Sequence, residues 1–240
     1  MSGGTLFLIP WHIGNALDTT YRAAELVRRL DLLLVEDLDD ARFQLKLCLG
    51  VDAGAKTLRE IPEEPSPRFR DELLSALQGG DAGLLSSGGV PGFVDPGAWL
   101  VADLRARGAP VRALAGPSVL STMLSLSGVE WRQHRDSSFT FAFFPGCAPG
   151  SREEEAFLAV ARRPETILVL LRPAELARCL ALLRAEVGPR PVTLFFDLTK
   201  PPGSFALADQ VRTMTCAEWL GVLSRLPWDG IGDLALMVGR

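Results

Sequence analysis

The hydrophobic and polar positions of this chain alternate between short apolar runs and longer segments with helical spacing. Short continuous apolar runs are typical of strands buried on both faces, and helical spacing predicts amphipathic helices between them. Because strands that alternate with helices are joined by right-handed crossovers, the pattern predicts an α/β protein with mainly parallel sheets. The predicted strands are Thr5–Pro10, Leu32–Val35, Gly83–Ser86, Val111–Leu114, Phe139–Phe144, Thr166–Leu171, Val192–Leu198 and Leu234–Val238.

Capping residues mark the first two predicted helices. The first opens with Asp18 or Thr19 as N-cap, and the second, Ala41–Leu49, ends at Gly50 as C-cap. A domain boundary is predicted near Gly116, which gives α/β domains of residues 1–115 and 116–240. The remaining predicted helices are Arg68–Leu77, Ala98–Arg107, Val119–Ser127, Arg152–Ala161, Ala174–Ala185 and Cys216–Leu223.

A glycine-rich loop joins the strand at residues 83–86 to the helix that begins at Ala98. Glycines allow sharp turns and close approach to a ligand, while prolines fix the shape of a loop. A loop at the carboxyl edge of a sheet presents main-chain N–H groups where open α/β folds bind small molecules, although an ordinary structural turn remains the alternative. The loop contains Gly88, Gly89, Pro91, Gly92, Pro96 and Gly97.

Composition and charge narrow the classes of function. The net charge of −4 falls entirely in residues 1–115, which carry 12 basic and 16 acidic residues. This balance argues against strong binding to naked nucleic acid, but not against docking onto a ribonucleoprotein through a local basic patch. Four scattered cysteines and two histidines argue against a metal site or a disulfide framework and favour the cytoplasm. We expect neither a membrane span nor a signal peptide.

Several segments resemble, in order, the motifs of the tetrapyrrole methylase superfamily, above all its branch of 16S ribosomal RNA cytidine-2′-O-methyltransferases. Residues 5–15, TLFLIPWHIGN, resemble the opening strand with its PIGN loop, and residues 86–97, SSGGVPGFVDPG, resemble SDAGTPGISDPG. The resemblance covers residues 4–146 well and thins afterwards. Further matching segments are 18–23 (DTTYRA), 35–37 (VED), 115–118 (AGPS), 126–128 (LSG), 141–146 (FAFFPG) and 198–200 (LTK).

The resemblance implies two α/β domains of the tetrapyrrole methylase type with a ligand cleft between them. It implies S-adenosylmethionine (SAM) as the cofactor, a homodimer, and methylation of a ribose 2′-hydroxyl in the RNA of the small ribosomal subunit. The residues themselves agree on a cleft, because loops 10–15, 87–95 and 115–118 all follow predicted strands. The expected cofactor-binding residues are Pro10, Ile13, Gly14, Ser87, Gly88, Gly89, Pro91, Gly92, Asp95, Gly116, Pro117, Ser118 and Thr199.

Transfer to a hydroxyl requires alignment of the reactants and benefits from a positioned base. Asp37 and Lys200 are predicted as catalytic residues. The alternative for both is a solvent-exposed side chain without a role in catalysis. Further candidates for the base are His12, Asp95 and Asp197. For Asp95 the favoured alternative is capping of the helix at 98–107. Trp11, Phe93 and Trp99 are candidates for stacking on a base or an adenine, although core packing is favoured for Trp99. Residues 139–144 are predicted first as a core strand and second as a wall of the ligand site.

The chain departs from the family's motifs at positions facing the acceptor. Ser87 replaces an acidic residue and Val90 a threonine, while 170–175 (LLRPAE) replaces YESPHR and Asp197 a glutamate. Residues 38–39 and 201–204 also differ. Two other hypotheses therefore stand beside a ribosomal RNA methyltransferase: a SAM-binding protein that no longer catalyses, and a methyltransferase of a small molecule such as a tetrapyrrole.

Overall fold

A computed structural model describes residues 3–131, 138–201, 209–227 and 231–239. The chain divides into two compact units, Met1–Val119 and Leu120–Arg240, and each contains a five-stranded sheet. The predicted α/β class with two domains is therefore confirmed. No helix in the described part of the chain is both long and apolar enough to cross a membrane.

The first unit is a parallel sheet in the order β3-β2-β4-β1-β5. From β1 the chain crosses to β2 and then to β3 at one edge of the sheet. It then returns to β4, which inserts between β2 and β1, and ends at β5 on the other edge. The strands are β1 (Leu6–Ile9), β2 (Leu32–Val35), β3 (Thr57–Glu60), β4 (Ala82–Leu85) and β5 (Val111–Ala113), and the helices are α1 (Tyr21–Arg29), α2 (Leu38–Leu49), α3 (Pro67–Gln78) and α4 (Ala98–Ala106).

Each face of this sheet buries its own hydrophobic cluster. One cluster joins α1 and α2 to Phe7, Leu33 and Leu85, and the other joins α3 and α4 to their strand neighbours on the opposite face. Successive strand residues point to opposite faces, so the short apolar runs supply both clusters at once. The helix after β4 therefore packs on the opposite face from the helices after β1 and β2. A crevice between such strands is where open α/β sheets bind ligands.

The second unit contains a mixed sheet in the order β6-β7-β10-β8-β9, in which β6 and β7 pair in parallel and the other described pairs are antiparallel. Its core includes Trp219, whose indole N–H donates to the carbonyl of Val192 over 2.9 Å. The strands are β6 (Phe139–Phe143), β7 (Thr166–Leu170), β8 (Val192–Phe196), β9 (Val211–Met214) and β10 (Leu234–Val238), and the helices are α5 (Val119–Leu126), which begins in the first unit, α6 (Arg152–Ala161), α7 (Leu176–Val187) and α8 (Cys216–Val222).

The structure corrects several local predictions. The N-cap of α1 is Thr20, whose side chain accepts from the N–H of Ala23, because residues 16–18 form a 3-10 turn of their own. Helix α2 begins three residues before the predicted start, with Asp37 as N-cap. Strand β6 is at the edge of its sheet, which leaves Phe139 42% and Phe143 51% exposed. The prediction of a core strand at 139–144 is therefore wrong for these two residues, although Phe144 is buried in the core.

Two strands were missed by sequence, β3 and β9. Both are edge strands with mixed polar and apolar residues and no buried run. An edge strand faces solvent and needs no continuous apolar sequence, so its pairing is decided by its neighbour. The departures at 202–204 lie outside the described residues.

Candidate functional site

The loops after β1 and β4 pair with each other at the carboxyl edge of the first sheet. The N–H of Trp11 donates to the carbonyl of Gly89 over 2.8 Å, and the N–H of Gly89 donates back to Trp11 over 3.2 Å. The hydroxyl of Ser86 also donates to the carbonyls of Gly88 and Gly89. These bonds fix the start of the glycine loop against the first strand, and they leave Ser87 and Gly88 exposed.

The loop after β5 packs against the same two loops. A Cβ placed on Gly116 would lie 2.2 Å from Cγ of Pro10, so only glycine fits there without displacement. A Cβ placed on Gly89 would lie 3.5 Å from Cγ2 of Ile13 and 3.7 Å from the carbonyl oxygen of Pro117. The structure thus brings together the predicted loops 10–15, 87–95 and 115–118 within the first unit.

Gly116→Ala is expected to lower the free energy of unfolding by about 2 kcal/mol, because the new methyl group must displace the rigid ring of Pro10. Urea denaturation followed by circular dichroism measures the effect. Gly80→Ala is the matched control, since a Cβ there meets no atom within 4 Å. Equal stability of the two variants would contradict the close packing of these loops.

Asp95 lies inside the glycine loop and does not cap α4. The N-cap of α4 is Gly97, with φ of 107° and no side-chain hydrogen bond, so the predicted capping by Asp95 is wrong. The Asp95 carboxylate instead accepts from the N–H of Gly92, which has φ of 81°.

Asp95 is the one acidic residue of the glycine loop, and its surroundings raise the pKa of its carboxyl group. Burial, and secondly the negative charge of Glu36, raise the pKa of Asp95 to about 6, while the hydrogen bond from Gly92 opposes the rise. Glu36 itself follows β2 and accepts from the N–H of Ser87 over 3.1 Å. A carboxylate from the end of β2 and one from within the glycine loop therefore lie close enough to interact.

A hydrogen-bonded cluster around Gln44 lies beside these loops. The Oε1 atom of Gln44 accepts from the ring N–H of His12 at 2.9 Å and, at longer range, from Trp11 and the thiol of Cys48. Burial and then Asp40 raise the pKa of Cys48, which keeps the thiol neutral. Within the described ranges, no group of three or more His, Cys, Asp and Glu side chains is placed to hold a metal ion.

A small pocket opens between the ends of β2 and β4 and the first turns of α2. Sequence analysis missed Gln44, although Asp40, Gln44 and Cys48 recur at helical spacing and so share one face of α2. Sequence analysis also missed the contact between Glu36 and Ser87, which joins residues 51 positions apart. The pocket is lined by Trp11, Val35, Glu36, Asp37, Asp40, Ala41, Gln44, Leu45, Leu85, Ser86 and Ser87.

The predicted catalytic residues occupy different units and different environments. Asp37 caps α2, and its Oδ1 accepts from the N–H of Asp40 over 2.7 Å. Lys200 lies in the second unit, where its ammonium contacts Asp197 at 2.5 Å and Asp233 at 2.9 Å. Burial lowers the pKa of Lys200, but these two carboxylates outweigh burial and raise it overall. Lys200 therefore stays protonated, so it does not act as the base that accepts a proton.

The turn around Lys200 has an unusual backbone. Asp197 and Thr199 have φ of 45° and 64°, the only positive values among non-glycine residues in the described part of the chain. Asp197 is buried and accepts from the N–H groups of Gly232 and Asp233, so it is not available as a base. The hydroxyl of Thr199 is buried and finds no partner among the described residues.

The aromatic candidates divide between core and surface. Trp11 is 2% exposed and belongs to the core of the first unit. Trp99 donates to the carbonyl of Pro62 and lies beneath the guanidinium of Arg70, so it packs as expected. Phe93 is 58% exposed and is the most exposed of the three side chains.

The chain is similar in sequence to known methyltransferases. The profile of the Tetrapyrrole (Corrin/Porphyrin) Methylases matches residues 5–205. The Ribosomal RNA small subunit methyltransferase I of Micromonospora olivasterospora is 34% identical over 203 residues, which cover 84% of this chain and 62% of that protein. The protein of the same name from Escherichia coli O157:H7 is 32% identical, covering 83% and 67%. The chain spans about two thirds of the length of these relatives.

Solved structures support the same assignment at the level of the fold. Uroporphyrin-III-C-methyltransferase from Thermus thermophilus has a TM-score of 0.61 at 19% identity, over 98% of this chain and 94% of that one. A cobalt precorrin-4 methyltransferase has a TM-score of 0.66 at 13% identity, over 98% and 94%. A structure of the Thermus enzyme with S-adenosyl homocysteine has a TM-score of 0.62 at 19% identity, over 99% and 98%. Sequence and fold together place this chain in the tetrapyrrole methylase family.

Proposed function

We propose that this protein is a SAM-dependent methyltransferase whose acceptor is a cytidine ribose 2′-hydroxyl in the RNA of the small ribosomal subunit. The observation that carries the proposal is the meeting of three strand-end loops beside β4, in a chain of the tetrapyrrole methylase family. The relatives at 32% and 34% identity are both named Ribosomal RNA small subunit methyltransferase I. Their name supports the RNA acceptor.

The glycine loop suits a nucleoside cofactor that has no phosphate. Gly88 is exposed, and a Cβ on Gly92 would meet no atom within 4 Å, so the main chain is open to close approach. The exposed N–H and C=O groups of such a loop recognise an adenine and an amino-acid group without a lysine cradle. Bound SAM supplies a methyl group activated by a sulfonium. The residues that would hold it are those of loops 10–15, 87–95 and 115–118, with Thr199 as a predicted further contact.

Asp95 is the carboxyl group best suited to take the acceptor proton. A base works best when its pKa lies near the working pH, and burial together with Glu36 raises the pKa of Asp95 to about 6. Asp37 is less suited, because its carboxylate is engaged as the cap of α2. Lys200 is less suited than a cation without acidic partners to bind a phosphate of the acceptor, because Asp197 and Asp233 neutralise its charge locally.

Calorimetry with SAM and S-adenosylhomocysteine tests cofactor binding, and transfer of a radiolabelled methyl group tests the acceptor. The substrate is small ribosomal subunits from a strain that lacks the gene. Binding in the micromolar range and labelling of the subunit RNA are expected. Absence of binding at high micromolar ligand would overturn the proposal.

Two other outcomes have their own meaning. Cofactor binding without labelling of subunits would favour a protein that binds SAM but does not catalyse. Ser87, which stands where the family has an acidic residue, is the reason for this alternative. Labelling of a copurified chromophoric molecule would favour a small-molecule acceptor. We also propose a homodimer in the cytoplasm, by analogy with the family; sedimentation velocity and cell fractionation test these two points.

A further inference from the structure

The outer side of α2 and the segment after it enclose an open groove of about 530 Å³. It is lined by residues between 42 and 58, all within the first unit. Three basic side chains, Arg42, Lys46 and Lys56, face it with a single carboxylate, Asp52. We call these lining residues the α2 groove.

The basic side chains of the α2 groove stand out against an acidic half of the chain. Residues 1–115 carry 12 basic and 16 acidic residues, and the two lysines of that half both line this groove. The ammonium of Lys56 donates to the carbonyls of Arg28 and Leu30, so it is held in place without a carboxylate partner. Lys46 is exposed and forms no ion pair with any described residue. Positive charge is therefore concentrated and only partly neutralised.

Nearby acidic groups do not cancel this charge. Arg42 pairs with Asp39 over 2.9 Å, but both side chains are exposed, 55% and 93%, and such pairs are weak in water. The Asp52 carboxylate accepts from the N–H of Gly54 and closes a local turn. The groove thus keeps a net positive lining.

Apolar side chains border the basic ones along α2. Phe43 is 62% and Leu47 is 65% exposed, and each follows one of the basic residues, so the two pairs form adjacent rows at i and i+4. An exposed ring next to cations is the combination with which proteins bind single-stranded nucleic acid, because bases stack on rings while cations contact phosphates.

We propose that the α2 groove binds the sugar-phosphate backbone of single-stranded RNA next to the methyl acceptor, with Phe43 stacking on a base. The inference rests on the proposed function, since an RNA acceptor is what requires such a surface. It assigns the recognition of RNA to residues outside the glycine loop, so cofactor binding and RNA binding are separable.

The test measures fluorescence anisotropy of a short single-stranded RNA of mixed sequence with the full chain, over a series of KCl concentrations. Arg42→Ala combined with Lys46→Ala is expected to weaken binding about tenfold or more and to reduce the slope of log K against log salt by ~1.4, at ~0.7 for each lost phosphate contact. Phe43→Ala is expected to weaken binding by roughly fivefold or more while leaving the slope unchanged.

The matched control is Arg105→Ala combined with Arg107→Ala. It removes the same charge at the end of α4, which packs on the opposite face of the sheet from α2. Equal losses in the two double variants, or no loss in either, would overturn the inference. Calorimetry with S-adenosylhomocysteine is run on the wild type and on every variant. If the wild type binds the cofactor product but not RNA, the inference about the groove is rejected and the proposed cofactor site stands. If the wild type does not bind the cofactor product, the proposed function is rejected.

Two other occupants are distinguishable. Binding to vesicles of phosphatidylserine and phosphatidylcholine with the same dependence on Arg42 and Lys46 would overturn RNA as the partner. Sedimentation velocity that shows a dimer dissociated by Phe43→Ala would assign the face to a second copy of the chain and would also overturn it.

Discussion

Replacing Asp197 by alanine is expected to lower the free energy of unfolding by about 3 kcal/mol. Its Oδ1 atom accepts from the ammonium of Lys200 and from the N–H groups of Gly232 and Asp233, at 2.5, 3.0 and 2.9 Å. Alanine would leave both N–H groups without an acceptor and would disfavour the φ of 45°. Lys200 keeps its ion pair with Asp233 and is partly exposed. The loss in the free energy of unfolding is therefore expected at the lower end of the range for breaking a buried ion pair.

Asp197→Asn separates hydrogen bonding from charge. The amide oxygen can accept from the same donors, and asparagine tolerates a positive φ, so a loss of only about 1 kcal/mol is expected. Urea denaturation of both variants at neutral pH measures the difference. Wild-type stability in the alanine variant would show that the turn does not depend on this carboxylate.

Replacing Asp95 by asparagine is expected to stabilise the protein above pH 6 and to impair methyl transfer. Burial, and secondly Glu36, raise the pKa of Asp95 from 3.8 to about 6, so the folded state holds its proton more tightly than the unfolded state does. The resulting stability is present below pH 4 and is lost as the pH rises to about 6. Asparagine cannot ionise, and it keeps an acceptor for the N–H of Gly92.

The expected gain at pH 7.5 is ~1 kcal/mol, after the shift is discounted because the side chain is only half-buried. Thermal unfolding from pH 4 to pH 8 measures it, with Asp71→Asn as a control that removes the same charge from an exposed position of α3. If Asp95 takes the acceptor proton, labelling of subunit RNA should fall by about 100-fold or more. A variant that gains no stability above pH 6 would contradict the burial of this carboxyl group, and full activity would contradict its role as base.

Most of the fold was predictable because its signals are local. β2 was predicted at its observed residues, since an uninterrupted Leu-Leu-Leu-Val run fits a strand covered on both faces. Gly50 was predicted as the C-cap of α2 and has the left-handed conformation that glycine favours. β3 and β9 were not predictable in the same way, because these two edge strands contain no apolar run and their pairing depends on the neighbouring strand.

The site was predictable only as far as its loops. The glycines and prolines of residues 86–97 indicate a turn at a strand end, and the turn is there. That Asp95 accepts from Gly92 while Gly97 is the N-cap of α4 was not predictable, because an aspartate or a glycine at this point of the chain suits either arrangement. Gln44 was missed because its side chain becomes the shared acceptor of a cluster only when donors from another segment, Trp11 and His12, lie close to it.

By itself the sequence determined the alternation of strands and helices, the C-cap Gly50 and the position of the glycine loop, because these depend on residues close together in the chain. Only the tertiary structure decided which carboxyl groups are buried, that Glu36 meets Ser87, that Gly116 must accommodate Pro10, and that the basic residues of α2 and Lys56 line one groove. Burial, proton affinity and local charge arise from neighbours brought together across many residues, and no local pattern encodes those neighbours.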